Sequence, residues 1–174
     1  EIGSAETMNF IATILLKKGY PDAAIDNYKQ AIKIKPDYAE AYYNIGNSLR
    51  SKGDLDAAIN SYKKALKIQP DLAEAYNNLG NALKGKGEFD KAIDSYNYAI
   101  EIKPDYAEAY NNLGNALKGK GELDAAIESY NKTIKIKPDH AEAFCNIGHV
   151  LRDKGKIDAA IESYNQALKI KPDY

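Results

Sequence analysis

The sequence predicts an all-α solenoid, five helix–turn–helix repeats of 34 residues stacked one on the next. Three observations predict it. Proline stands at 36, 70, 104, 138 and 172, always 34 apart and always followed by Asp. The first four of these pairs lead into Ala-Glu-Ala and an aromatic residue: Tyr42, Tyr76, Tyr110 and Phe144. Between the prolines, apolar residues recur at the i, i+3, i+4, i+7 spacing of one helix face, and no strand-like alternation interrupts them.

Counting position 1 from the Ala after Pro-Asp-x, the repeats are 5–38, 39–72, 73–106, 107–140 and 141–174. Residues 1–4 fall outside the period and read as a linker or a cloning remnant. The first repeat is degenerate, with Met8 in the aromatic place, Ala12 where the others carry Gly, and Pro21 in its turn. The second, fourth and fifth follow the pattern, with Thr133 in place of one Ala in the fourth. Repeats 73–106 and 107–140 are almost the same sequence.

The third repeat shows why each element forms. Asp71 and Glu74 have the spacing of a capping box before AEAYNNLGNALKGK. Tyr76, Leu79, Gly80 and Leu83 make one helical stripe. Gly87 interrupts it. Asp90 then opens DKAIDSYNYAIEIK, whose Ala92, Ile93, Tyr96, Ala99 and Ile100 form a second stripe. Acid at its start and Lys at its end suit the helix dipole. Pro104 stops it. Each helix of about 14 residues is roughly 20 Å long. Small residues such as Gly80 and Ala92 allow close approach, and the tyrosines supply most of the buried area.

Composition excludes several functions. Lys+Arg is 24 against Asp+Glu 25, a net charge of −1, without the basic excess of a nucleic-acid or membrane-surface binder. One cysteine among 174 residues rules out an internal disulfide framework and a multi-cysteine zinc site. No apolar run approaches the length of a membrane span. The first residues, EIGSAETMNF, lack the basic and apolar stretches of a secretory signal, so the default expectation is cytoplasmic.

The residues at Tyr76, Leu79, Gly80, Leu83, Ala92, Tyr96, Ala99 and Pro104 resemble the tetratricopeptide repeat (TPR) pattern of aromatic, Leu, Gly, Tyr or Leu, Ala, aromatic, Ala and Pro. The set recurs in 39–72, 107–140 and 141–174, with Thr133 replacing one Ala. The resemblance covers about the whole chain. It implies a right-handed superhelix of helix pairs whose first helices line a concave groove. In that geometry the groove residues stand at positions 2, 5, 6, 9, 12 and 13 of each repeat.

Position 5 carries Asn9, Tyr43, Asn77, Asn111 and Cys145; position 6 carries Phe10, Asn44, Asn78, Asn112 and Asn146. Position 9 carries Thr13, Asn47, Asn81, Asn115 and His149. An asparagine amide offers an acceptor and two donors, which suits pairing with the backbone of an extended peptide. The row is similar to the Asn ladder in the TPR region of O-GlcNAc transferases. The alternative is that Asn is a tolerated, solvated residue that repeat duplication copied. Position 12 adds a basic row, Arg50, Lys84, Lys118 and Arg152, with two readings, a groove edge and a solvated helix face. Glu6, Glu40, Glu74, Glu108 and Glu142 at position 2 read as capping-box glutamates. A carboxylate clamp for Hsp70 or Hsp90 tails needs Lys at position 5 and basic residues at positions 2 and 6. Those places hold no Lys, Glu, and Phe or Asn respectively. That partner class is rejected.

Four motifs fail. GNALKGKG at 80–87 and 114–121 approaches a phosphate loop, but Gly87 and Gly121 stand where Ser or Thr is needed, and the Lys ends a helix rather than starting one. Cys145 and His149, with His140 nearby, supply too few ligands for structural zinc. Asn131-Lys132-Thr133 is a glycosylation sequon inside a helix. The carboxylates recur at helix starts and form no acid–base pair.

No catalytic residue, metal or cofactor is therefore expected. The leading reading is a non-catalytic scaffold that binds an extended peptide or a partner helix in its groove. A second is a substrate-recruiting arm of a larger enzyme such as a glycosyltransferase, suggested by EIGS and by the stop at Lys171-Pro172-Asp173-Tyr174. A third is end-to-end self-association through Ile157, Ile161, Tyr164 and Leu168 of the last helix and the apolar first helix of Phe10, Ile11, Ile14, Leu15 and Leu16.

Overall fold

The computed structural model describes residues 3–173. Glu1, Ile2 and Tyr174 lie outside the described residues, and with them parts of the expected linker and of the final Pro-Asp-Tyr. Among the described residues there are ten α-helices and no strand. They are α1 (Ala5–Lys17), α2 (Pro21–Ile34), α3 (Ala39–Ser51), α4 (Leu55–Ile68), α5 (Ala73–Gly85), α6 (Phe89–Ile102), α7 (Ala107–Lys120), α8 (Leu123–Ile136), α9 (Ala141–Asp153) and α10 (Ile157–Ile170). The chain divides into two compact units, one ending at Glu88 and one beginning at Phe89. Each is built the same way. In the first, α1 to α5 pack in chain order; in the second, α6 to α10 do. No helix among the described residues is long and apolar enough to cross a membrane.

Every first helix begins at position 1 of the period, as the spacing predicts. The capping box, however, does not form. The N-caps of α3, α5 and α7 are Tyr38, Leu72 and Tyr106, with no side-chain cap bond. The reason is the turn before them. Tyr38 N–H donates to the Lys35 carbonyl at 3.2 Å, so Pro36 and Asp37 occupy the two middle places of a β-turn and Asp37 never reaches the cap position. The same bond closes Lys103–Tyr106 and Lys137–His140, each at 3.1 Å. Other ends are capped individually. Ser4 Oγ accepts from Thr7 N–H, Asp54 from Ala57 N–H, and His140 Nδ1 from Ala143 N–H.

Second helices stop at Ile34, Ile68, Ile102, Ile136 and Ile170, two residues before each proline. Lys35 is extended, with φ −131° and ψ 91°, as the residue before a proline must be. At the other end of each pair the chain reverses through a left-handed glycine, such as Gly121 at φ 82°.

In the pairs α3/α4, α7/α8 and α9/α10 a tyrosine packs against a missing side chain. Tyr28, Tyr62, Tyr96 and Tyr130 are fully buried. A Cβ placed on Gly46 would lie 2.5 Å from Tyr62 Cε1; on Gly114 it would meet Tyr130 at 2.5 Å, and on Gly148 it would meet Tyr164 at 2.5 Å. The ring therefore lies directly on the facing helix backbone. Burying each ring stabilises the pair by about 1.5–3 kcal/mol. Flanking alanines, including Ala58, Ala75, Ala109 and Ala126 at 0 % exposure, keep the helices close around it.

Candidate functional site

The first helices present positions 2, 5, 6 and 9 to one another, and the amides there are ordered by tyrosine hydroxyls from the second helices. In the first unit, Tyr62 OH donates to Asn47 Oδ1 at 2.8 Å. The same oxygen accepts from Asn78 Nδ2 at 2.9 Å, and that amide nitrogen also donates to Tyr43 OH at 3.0 Å. One repeat earlier, Asn44 Nδ2 donates to Asn9 Oδ1 at 3.3 Å, and Asn9 Nδ2 donates to Glu40 Oε1 at 3.0 Å.

The second unit repeats this clasp. Asn146 Nδ2 donates to Asn111 Oδ1 at 3.2 Å, and Asn111 Nδ2 donates to Glu142 Oε1 at 3.0 Å. Tyr130 OH donates to Asn115 Oδ1 at 2.8 Å. Glu40 and Glu142, expected to cap their helices, are thus drawn into bonds between successive repeats. Burial pushes the Tyr62 hydroxyl up to about 12, opposed in part by Arg50. Burial, then Glu142, pushes Tyr130 up as well. Both hydroxyls stay protonated at neutral pH and hold their amide oxygens turned inward.

What those bonds leave open is orderly. The Nδ2 groups of Asn47 and Asn115 and the Oδ1 atoms of Asn44 and Asn146 have no partner among the described residues. All four side chains are half-buried. No buried side-chain nitrogen or oxygen lacks a partner among the described residues, so these four groups reach solvent. Asn47 and Asn115 at position 9 therefore offer a donor, and Asn44 and Asn146 at position 6 an acceptor.

The other expected site residues fall in different places. Asn77 and Asn111 are 5 % and 4 % exposed and point between helices, so they support the ladder from beneath instead of lining a surface. Asn81 and Asn112 are half-buried. Tyr43 is half-buried with its ring 6.1 Å from that of Tyr62. Arg50 is exposed, Lys84 and Lys118 are half-buried, and Arg152 is exposed with its guanidinium 3.0 Å from Asp153. His149 departs from the asparagine pattern. Its Nδ1 lies 3.0 Å from Tyr164 OH and its Nε2 3.4 Å from Cys145 Sγ, so both ring nitrogens are engaged. Burial, then Lys118 and Arg152, lowers its pKa, which favours the neutral ring. Burial and Glu142 raise the Cys145 thiol. Among the described residues no three His, Cys, Asp or Glu side chains converge as metal ligands.

Sequence reasoning read Glu40 and Glu142 as helix caps and overlooked the hydroxyls of the second-helix tyrosines as parts of the ladder. A signal was present. In each repeat a hydrogen-bonding residue at position 9 precedes a tyrosine by 15 residues: Thr13–Tyr28, Asn47–Tyr62, Asn115–Tyr130 and His149–Tyr164 all touch.

Comparison with known proteins adds to this geometry. A family model described as TPR repeat matches residues 13–49, 46–87 and 80–121, and one described as Tetratricopeptide repeat matches 105–173. A crystal structure of MamA is similar over 94 % of this chain and 95 % of its own, with 36 % identity and a TM-score of 0.86. YrrB, described as a TPR protein with an unusual peptide-binding site, is 26 % identical over 96 % of this chain and 86 % of its own, with a TM-score of 0.79. MamA 41-end from Desulfovibrio magneticus RS-1 shares the fold at 23 % identity, covering 99 % of this chain and 98 % of its own, with a TM-score of 0.89. Among curated proteins none matches the chain.

Proposed function

The chain belongs to the tetratricopeptide-repeat family, and from that premise we propose that it is a non-catalytic scaffold that holds an extended polypeptide by its main chain. The observation that carries the reading is the oriented half of the ladder. On α3, the Asn44 oxygen and the Asn47 amide nitrogen are offered one helical turn apart, on the same face. A residue in an extended strand turns its own N–H and C=O to one side, so it can meet such an acceptor and donor together. In the second unit, Asn115 offers the donor and Asn146 the acceptor. Recognition of this kind takes its strength from main-chain hydrogen bonds and is tolerant of side-chain sequence. The peptide-binding site named for YrrB supports the reading by family likeness.

The test must spare the fold. Alanine at Asn47 would strand the Tyr62 hydroxyl and take one of two partners from the Asn78 amide, confounding lost binding with lost stability. Aspartate keeps the oxygen that those groups need and removes the donor. Peptides selected from a randomised library on the intact chain should bind the Asn47→Asp/Asn115→Asp variant at least about tenfold more weakly. N-methylation of alternate amides in the selected peptide should abolish capture. Failure to select any peptide, or binding indifferent to both changes, would refute main-chain capture.

A further inference from the structure

The second helices of the first unit leave a cleft on the side of α3 turned away from the ladder. Tyr42, Ile45 and Leu49 form its floor, and they stand about half a turn around α3 from Asn44 and Asn47. Ile25 and Ile32 of α2 make one wall and lie about 10 Å apart along that helix. The other wall is α4, where the small Ala57 and Ser61 leave the floor uncovered. The cleft has a volume of about 430 Å³. All three helices belong to the first unit.

The apolar surface is recessed and the charges stand above it. Ile25 and Ile45 are 7 % exposed, and Ile32, Tyr42 and Leu49 are half-buried. Lys29 on α2 and Lys64 on α4 are exposed at the two rims. Lys64 Nζ lies 5.7 Å from the centre of the Tyr42 ring. Lys29 Nζ is 4.0 Å from Asp26 Oδ1, an exposed pair that holds it weakly.

The field around the cleft is positive. From Asn27 to the end of α2, and from Ala57 to the end of α4, no Asp or Glu occurs, while Lys33, Lys63 and Lys67 add to the two rim lysines. The first-turn acids are engaged elsewhere. Asp22 pairs with Lys52 after α3, and Asp56 with Lys86 after α5 at 2.5 Å, so each second helix is tied to the first helix that follows it. Lysine on both rims is particular to this place in the array. At the later junctions the same two repeat positions hold Lys63 and Tyr98, Asn97 and Lys132, and Asn131 and Gln166.

An apolar floor between positive rims calls for an occupant with an apolar ridge between negative flanks. A flat anionic bilayer would meet the lysines and leave the recessed isoleucines uncovered. A helix reaches both, because side chains at i, i+4 and i+7 span the same length of about 10 Å and acids beside them fall at the rims. We propose that the cleft docks an acidic amphipathic helix of a partner protein. Its aliphatic ridge lies on Ile25, Ile32, Ile45 and Leu49, and its carboxylates meet Lys29 and Lys64. The site is separate from the ladder and does not depend on a peptide binding there.

Three synthetic helices titrated into the whole chain test this by fluorescence anisotropy. The first carries Leu at i, i+4 and i+7 with Glu flanks, the second the same Leu with Lys flanks, and the third Glu flanks with Ala for Leu. The first should bind with a Kd below about 1 mM, and the other two at least about tenfold more weakly. Lys29→Glu/Lys64→Glu, at two exposed positions, should reverse the order. That variant should hold the Lys-flanked helix more tightly than the Glu-flanked one, with helical circular dichroism unchanged. A wild type that binds none of the three, or all three alike, overturns the proposal. So does an order unmoved by the charge reversal. Binding to phosphatidylglycerol vesicles that the acidic helix cannot compete away, and that the charge reversal abolishes, would mean a lipid surface and overturn it as well.

Discussion

Replacing Gly114 with Ala tests the central packing argument. The added Cβ would stand 2.5 Å from Tyr130 Cε1, 2.7 Å from Cδ1 and 2.9 Å from Cζ, where carbon contacts want about 3.5–4.0 Å. The ring must retreat by roughly 1 Å, yet it is fully buried in a close-packed core. Overpacking of this kind costs about 1–3 kcal/mol. The retreat also breaks the 2.8 Å bond from Tyr130 OH to Asn115, for about 1 kcal/mol more. Against this, Ala in place of a mid-helix Gly returns about 1 kcal/mol of propensity. The net expectation is a loss of about 1–3 kcal/mol, read from the urea midpoint of helical circular dichroism. The penalty should shrink or reverse in a Tyr130→Leu background, because the two positions are in contact. A Gly114→Ala protein as stable as the wild type, or more so, would refute the claim that ring and backbone touch.

Three further outcomes are expected. Asn115→Ala should cost about 1–3 kcal/mol by stranding the Tyr130 hydroxyl, whereas Asn115→Asp should cost less, both read by denaturant midpoint. Above pH 10 the unfolded chain loses tyrosine protons that the fold retains, since Tyr62 is pushed up to about 12 and Tyr28 and Tyr130 are raised by burial. Stability should therefore hold up to about pH 10 and fall as pH rises toward 12, with tyrosinate absorbance lagging that of the urea-unfolded chain. His149 has the opposite sign. Its lowered pKa means that the unfolded chain takes up the proton first, so stability falls as pH drops below about 6.5. His149→Asn should flatten the unfolding midpoint between about pH 7 and 5, and an unchanged slope would reject the assignment.

The period, the helices and the tyrosine core were legible because each follows from spacing alone. Five prolines at one interval fix where second helices end, and the Gly and Tyr of one pair sit on facing stripes. The caps were not legible in the same way. Asp37 and its counterparts have the right residue type one place too early, and only the turn bond from Tyr38 N–H to Lys35 shows why they miss the cap. The ladder was half legible. Asparagine at positions 5 and 6 looks equivalent in sequence, but successive residues differ by about 100° around a helix. That rotation turns Asn77 and Asn111 inward and leaves Asn44 and Asn146 facing out. Which half of each amide remains for a ligand depends on tyrosine hydroxyls 15 residues away, a relation no local pattern carries.

The lysine–aspartate pairs also bear on how such a gene can change length. Lys52 answers to Asp22 and Lys86 to Asp56, so each period carries one half of the junction before it and one half of the junction after. Excision of residues 39–72 by unequal recombination would bring Lys86 opposite Asp22, and the ion pair would re-form between strangers. Loss of one residue fewer would leave an extra residue at the seam, which inside a helix turns the faces on its two sides by about 100° relative to each other. A gain or loss of whole periods is silent to the fold, so copy number can drift while the spacing between prolines stays fixed.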